Sequence, residues 1–117
     1  MAKRLVAYIS PWCYNCSDTR EALKTWGVPV EFVDIEKDAA ATRRVLAWTG
    51  YRSVPTLLIA EQGSLEPGEA PAPLAPGACP HGIDRGSMLT EPTRAQLRAW
   101  LIAHGLLSAE AAKEPLR

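Results

Sequence analysis

A chain of 117 residues with 47% hydrophobic and 22% charged side chains is long enough to bury one core without staples, and its composition is that of an ordinary globular protein. Thirteen basic and thirteen acidic residues cancel, which leaves no basic stripe for nucleic acid, and no run approaches the ~18 apolar residues of a membrane span. Three cysteines, an odd number, do not make a secreted disulfide scaffold, so the chain is expected in a reducing cytoplasm.

The opening "MAKRLVAYIS" carries two basic residues and then an apolar run that is too short for a signal-peptide core and lacks a small-residue cleavage site. Within it, 4–10 is a β-rich run ended by Pro11 and reads as a strand. From Cys13 or Tyr14 to Trp26 the pattern is helical, with Leu23 and Trp26 on one face and Gly27 as a left-handed stop. A second strand is expected over 30–36. Then 38–50 offers Asp38 as N-cap, Val45 and Trp48 on one face, and Gly50 at the C-cap. After Pro55, "TLLIA" (56–60) is a continuous apolar run, the mark of a strand buried on both faces. Strand and helix alternating at this pace imply a βαβ start and a largely parallel central sheet.

Residues 61–86, "EQGSLEPGEAPAPLAPGACPHGIDRG", hold five of the ten prolines and five of the eight glycines. So long a connection inside a compact domain is uncommon, and it reads as an insertion in a hairpin, with Gly86 to Thr90 returning as an edge strand. Thr93 and Gln96 have capping-box spacing and open a helix over 93–105. Leu97, Trp100, Leu101 and His104 share its apolar face, and a last helical turn is expected from Ser108. The whole chain, 1–117, is expected to be one domain.

"SPWCYNC" places Cys13 and Cys16 where the first strand gives way to the first helix. A helix N-terminus presents unpaired amides and the positive end of the macrodipole, and both favour an anion. Cysteines in such C-x-x-C motifs can have pKa values lowered to roughly 3.5–7.5, and the thiolate is the attacking species. Cys13, at the junction, therefore attacks, and Cys16, one turn further in, resolves the mixed disulfide. The second motif is "SVPT". Only about 5% of X-Pro bonds are cis, so Pro55 alone permits a trans proline opening a strand. A cis bond would instead present the backbone of Val54 towards the sulfur, where an incoming peptide or thiol could pair as an added strand.

With both motifs in view, "SPWCYNC" and "EFVDIEKDAAATRRVLAWTGYRSVPTLLI" resemble a glutaredoxin of the thioredoxin superfamily over about residues 4–60, and less specifically near 87–105. The resemblance implies an α/β fold, βαβαββα, with a four-stranded mixed sheet flanked by three helices, and thiol–disulfide exchange as the activity. It implies Cys13 as nucleophile, Cys16 as resolving thiol, Pro55 as the cis-proline and Val54 as the residue whose backbone pairs with the substrate thiol. Arg52 matches a position that contacts the glutathione carboxylate. The chain departs from the family at Ser10, where many members have Lys, and at "LTEPT" (89–93), which replaces a Gly-Gly-x-Asp-Asp entry to the last helix. Ala7 stands where thioredoxins keep a buried Asp.

Trp12 and Tyr14 flank Cys13 and are expected to shape the substrate groove. No bound cofactor is expected; glutathione or another low-molecular-weight thiol is the expected reductant. The expected partners are a disulfide-containing protein or a small-thiol mixed disulfide, and a thioredoxin-type reductase is an alternative donor. No nucleic acid and no membrane are expected to bind, and the chain is expected to be a monomer. Cys79 and His81 in "ACPHG" leave three readings: an exposed thiol beside a solvated His, a further redox thiol, or a Cys3His metal set with Cys13 and Cys16. Their spacing is tighter than that of usual ligand pairs and metal would silence the nucleophile, so no metal site is assigned; a non-enzymatic metal-binding or adaptor module is the alternative to the enzyme. Arg43 and Arg44 read as a solvated helix face, and Trp26, Trp48 and Trp100 as core residues near helix ends.

Overall fold

Seven residues at the start of the chain form the strand on which the rest is built, β1 (Lys3–Ile9). The elements that follow are α1 (Tyr14–Trp26), β2 (Val30–Asp34), α2 (Ala39–Thr49), β3 (Thr56–Glu61), β4 (Met88–Thr90) and α3 (Arg94–Ala103). The computed structural model describes residues 3–75, 77–79 and 81–108. The expected turn from Ser108 falls on residues outside that range.

The strands lie in the order β2-β1-β3-β4. β1 runs parallel to β2, with Tyr8 opposite Val33, and antiparallel to β3, with Tyr8 opposite Thr56. β3 and β4 are antiparallel. Only the β1–β2 pair is thus parallel, and the largely parallel sheet read from the alternation is corrected to a mixed one. The βαβ unit made by α1 sets the parallel pair. After α2 the chain returns on the far side of β1 in the opposite direction. The fold is the βαβαββα arrangement of a four-stranded mixed sheet and three helices.

Leu5 to Ile9 of β1 and Thr56 to Ala60 of β3 are all buried. Because successive side chains point to opposite faces, unbroken burial means that both faces of the central strands are covered. Leu57 and Leu58 meet opposite halves of the core in this way, and each contributes roughly 1.5–3 kcal/mol of burial. β2, on an edge, is only partly buried. Helix ends follow local chemistry. Asp38 accepts from the Ala40 amide at 2.9 Å, and the Thr93–Gln96 capping box is formed in both directions. Gly27, at φ 69°, lets the chain leave α1 in a left-handed conformation.

The connection between β3 and β4 is bound to the body of the protein. Arg4 donates to the Ser64 carbonyl from both Nε (3.2 Å) and Nη2 (2.5 Å), and the Tyr8 hydroxyl donates to the Leu65 carbonyl. Trp100 Nε1 donates to the Gly86 carbonyl at 2.9 Å, and His104 Nε2 meets the same oxygen at 2.8 Å. His104 therefore works on the connection, beyond the apolar packing expected of it. Arg43 is exposed, as expected of a solvated face. Arg44 departs from that expectation, because its Nε donates to the Tyr8 hydroxyl at 2.9 Å.

Candidate active site

The first side of the site is the turn that leaves β1. The Cys13 amide donates to the Ser10 carbonyl at 3.2 Å, closing that turn and setting Cys13 at the N-cap of α1 with extended backbone. Its Sγ accepts from the Cys16 amide at 3.1 Å, so the sulfur takes the capping place that a hydroxyl or carboxylate oxygen usually fills. Cys16 is one turn into α1 and 3% exposed. Burial pushes its thiol well above the ordinary value, and the hydrogen bond and charge of the neighbouring Cys13 sulfur push the same way, as does the Glu91 carboxylate; the Ser10 backbone opposes them. Cys16 is thus the protected, protonated partner, while Cys13 is only partly buried. Both thiols are free.

The second side is the turn into β3. The Val54–Pro55 bond is cis. The carbonyl oxygen of Val54 lies 3.3 Å from Cys13 Sγ and accepts its thiol proton. Thr56 Oγ1 donates to the Ser53 carbonyl at 2.8 Å, and the Glu91 amide donates to the Pro55 carbonyl at 2.8 Å. The backbone around Pro55 is held from both flanks.

Trp12 and Tyr14 project into solvent at 86% and 89% exposure on either side of Cys13. Arg52 Nη2 donates to Glu36 Oε2 at 2.9 Å, and the same carboxylate oxygen accepts from Ser10 Oγ at 3.5 Å. Glu36 therefore links the turn before Cys13 to the turn before Val54. A cleft of about 180 Å³ beside the thiols is lined by Ile9, Ser10, Pro11, Cys13, Cys16, Ser17, Arg20 and Asp34. The Arg20 guanidinium sits 4.9 Å from the centre of the Phe32 ring.

Cys79 is exposed. His81 is exposed, as the plainest reading has it, and its Nε2 meets a carboxylate oxygen of Glu91. Among the described residues no group of three or more His, Cys, Asp or Glu side chains is placed to hold a metal ion. Nor is any described helix long and apolar enough to cross a membrane.

Glu36, Asp34 and Arg20 are not marked by the motifs, and neither is the contact of His81 with Glu91. One signal is present for two of them: Asp34 ends β2 and Glu36 follows it, at the carboxyl end of a strand, where sheets of this kind place their ligand sites. Nothing local in the sequence marks Arg20, whose place depends on the packing of α1 on β2.

With a C-x-x-C at a helix N-terminus facing a cis-proline turn, the chain can be compared with known families. The family model described as glutaredoxin matches residues 5–63. The chain belongs to the glutaredoxin family. The matched stretch runs from β1 through β3 and contains Cys13, Cys16 and the Val54–Pro55 turn. A crystal structure of a buckwheat glutaredoxin–glutathione complex is similar at 24% identity and a TM-score of 0.42, covering 47% of this chain and 53% of that one. The chain thus spans about half the length of that relative. The structure of a malarial protein is similar at 17% identity and a TM-score of 0.38, covering 55% of this chain and 74% of that one. No curated protein matches the chain.

Proposed function

We propose that this glutaredoxin is a thiol–disulfide oxidoreductase that reduces protein disulfides or mixed disulfides through Cys13 and Cys16. The observation that carries the reading is the placing of Cys13 Sγ, which caps α1 through the Cys16 amide and donates to the Val54 carbonyl. The Cys13 thiolate attacks a substrate disulfide RS–SR′. A Cys13–S–S–R bond forms and R′S⁻ leaves, taking up a proton. Cys16, protonated in its buried setting, gives up its proton and attacks the Cys13 sulfur. The Cys13–Cys16 disulfide forms as RS⁻ departs and is protonated. Two electrons from a thiol donor then restore the dithiol.

In this reading Val54 supplies backbone hydrogen bonding to the substrate, Pro55 fixes that backbone, Trp12 and Tyr14 wall the groove, and Arg52, paired with Glu36, borders the substrate. No bound cofactor takes part. The donor is glutathione or another low-molecular-weight thiol. A thioredoxin-type reductase is the second reading, favoured by one observation: Arg52 and Glu91, the charged groups flanking the Val54–Pro55 turn, are engaged by Glu36 and His81. The chain is proposed to act as a monomeric single domain in the cytoplasm, with 61–86 as a loop insertion.

The test is disulfide-reductase turnover with purified protein, comparing glutathione plus glutathione reductase against thioredoxin reductase. Turnover with glutathione supports the first reading. Turnover with the reductase alone keeps the Cys13–Cys16 chemistry and moves the donor to the second. Silence with both donors points to another thiol; silence with a small dithiol reductant as well, in protein whose Cys13 is reduced and alkylatable, refutes the proposal.

A further inference from the structure

Arg52 stands two residues before Val54, and its side chain is 56% exposed at the rim of the Cys13 site. A guanidinium fork in that place has the geometry to take a carboxylate. In this protein a carboxylate is already there. Glu36 Oε2 accepts from Arg52 Nη2 at 2.9 Å. Two contacts pre-set Glu36 for that role. Its amide donates to Asp34 Oδ1 at 2.8 Å, which fixes the backbone just after β2, and its carboxylate is shared with Ser10 Oγ at 3.5 Å. The Ser10 side chain in turn receives the Trp12 amide at 3.4 Å. Glu36 is thus tied to the turn that carries the nucleophile while it pairs with the cation on the opposite rim.

We infer that Glu36 acts as an internal carboxylate that occupies Arg52, so that Cys13 exchanges with low-molecular-weight thiols without favouring those that bear a free carboxylate. This rests on the proposed thiol exchange at Cys13 and names the class of thiol it takes. An incoming carboxylate gains Arg52 only by releasing Glu36, which trades one surface ion pair for another. Both side chains are solvated, Glu36 at 38% exposure, so the bias is modest. The other charges facing Glu36 do not change its sign. Asp34 holds the Glu36 amide and adds negative charge, which further repels an incoming anion, while Arg20 shares the cleft lining with Asp34 and lies over Phe32. Glu36 is a positioning and specificity residue that does not touch the reacting sulfurs.

The experiment uses the full chain with Cys16→Ser, so that a mixed disulfide at Cys13 is not resolved. The protein is equilibrated with glutathione and its glycyl monoethyl ester, each with its disulfide, and the two adducts at Cys13 are counted by mass spectrometry. In each exchange the arriving thiolate forms the new bond to the Cys13 sulfur, and the departing thiol leaves with the proton that the arriving thiol gave up. The parent should carry the acid and the ester in the proportion set by their solution equilibrium. Adding Glu36→Gln frees Arg52 and should shift the proportion about two- to five-fold towards the acid, the scale of a surface ion pair. Adding Arg52→Gln to that variant should return it to the parent value. An unmoved proportion in Glu36→Gln, or a shift that survives Arg52→Gln, overturns the inference. A variant that merely loosened the site would lower both adducts alike and leave their proportion unmoved, which also counts against it. Absence of either adduct at a Cys13 that still reacts with iodoacetamide overturns the thiol-exchange reading itself, and this inference with it.

Discussion

Cys13 Sγ lies 3.3 Å from the carbonyl oxygen of Val54 and 3.1 Å from the amide nitrogen of Cys16, so one sulfur donates to the turn before Pro55 and accepts along its own helix. A serine hydroxyl can do both, and serine is among the best N-cap residues. Cys13→Ser should therefore keep its stability within about 0.5 kcal/mol of the parent, as expected where a cap is replaced rather than removed. It should also lose all turnover above background, because the nucleophile is gone. Thermal unfolding and disulfide-reductase assays on the same sample separate the two effects. Turnover retained in a folded Ser variant would take Cys13 out of its role.

Cys16 should impose a pH dependence on stability. Burial raises its thiol above the ordinary value of 9.0 in the folded protein. Above that value the unfolded chain sheds this proton while the native one keeps it. The unfolded state then binds fewer protons, and stability falls as pH rises. Below pH 9 the contribution is fully present. The loss is at most about 1.4 kcal/mol for each pH unit above 9. Urea unfolding of the reduced protein at pH 8, 9.5 and 10.5 should show a steeper decline than that of Cys16→Ala. Parallel slopes would mean that the buried thiol is not held protonated. Iodoacetamide at pH 8 should label Cys13 and Cys79 and spare Cys16.

The matched motifs made half of this site readable. Cys13, Cys16, Val54 and Pro55 are announced by short local patterns, and each element that positions them carries its own start and stop signals. Asp38, Gly50, Thr93 and Gln96 act at helix ends where their chemistry predicts. What local pattern did not reveal depends on contacts distant in sequence. Strand order places β3 antiparallel beside β1, and no residue within either strand specifies that direction. Arg44 looks like a surface residue on its helix and becomes a partner of Tyr8 only when α2 packs against the sheet. The Pro- and Gly-rich stretch was legible as a long connection, but its attachments come from carbonyls, which every residue has. Hydrogen bonds from Arg4, Tyr8 and Trp100 to Ser64, Leu65 and Gly86 leave no signature in the accepting residues.

That attachment makes Arg85 a stability residue. Its side chain is buried, the residue being 7% exposed, and Nε donates to the Ala72 carbonyl at 2.7 Å while Nη1 donates to the Trp48 carbonyl at 2.6 Å. Trp48 lies in the last turn of α2, where carbonyls lack helical partners and a cation is favoured. Burial of the charge lowers the pKa of the guanidinium, so part of its benefit is offset. Arg85→Met keeps most of the apolar stem and removes the donors. It should destabilise the protein by about 1–3 kcal/mol, the cost of leaving buried polar groups unmet. Urea unfolding of the reduced protein measures this. A loss below about 0.5 kcal/mol, the range of an ordinary surface substitution, would show that water replaces the guanidinium at both carbonyls.

Removing residues 62–86 and closing β3 to β4 with a short turn should lower stability for the same reason. Trp100 Nε1 would lose its acceptor, at about 1–3 kcal/mol if left buried and unpaired, and the Tyr8 hydroxyl would lose the acceptor of its proton while keeping the Arg44 donor. A truncated protein that unfolds at the same urea concentration as the parent would mean that water meets both groups.

Glu91 offers a test in which two effects of one residue are taken apart. Its φ is 45°, the left-handed region that side chains other than glycine avoid, and it is the described non-glycine residue that occupies it. Its amide holds the Pro55 carbonyl, and its carboxylate meets His81. Both Glu91→Gly and Glu91→Ala lose the carboxylate and keep the amide. Only glycine also relieves the backbone, a strain of about 1 kcal/mol against alanine. The glycine variant should therefore be the more stable of the two by about that amount in urea unfolding. Equal stabilities would mean that the backbone at 91 relaxes once the His81 contact is gone. The left-handed turn beside Pro55 would then be held by the His81 contact rather than by the amide.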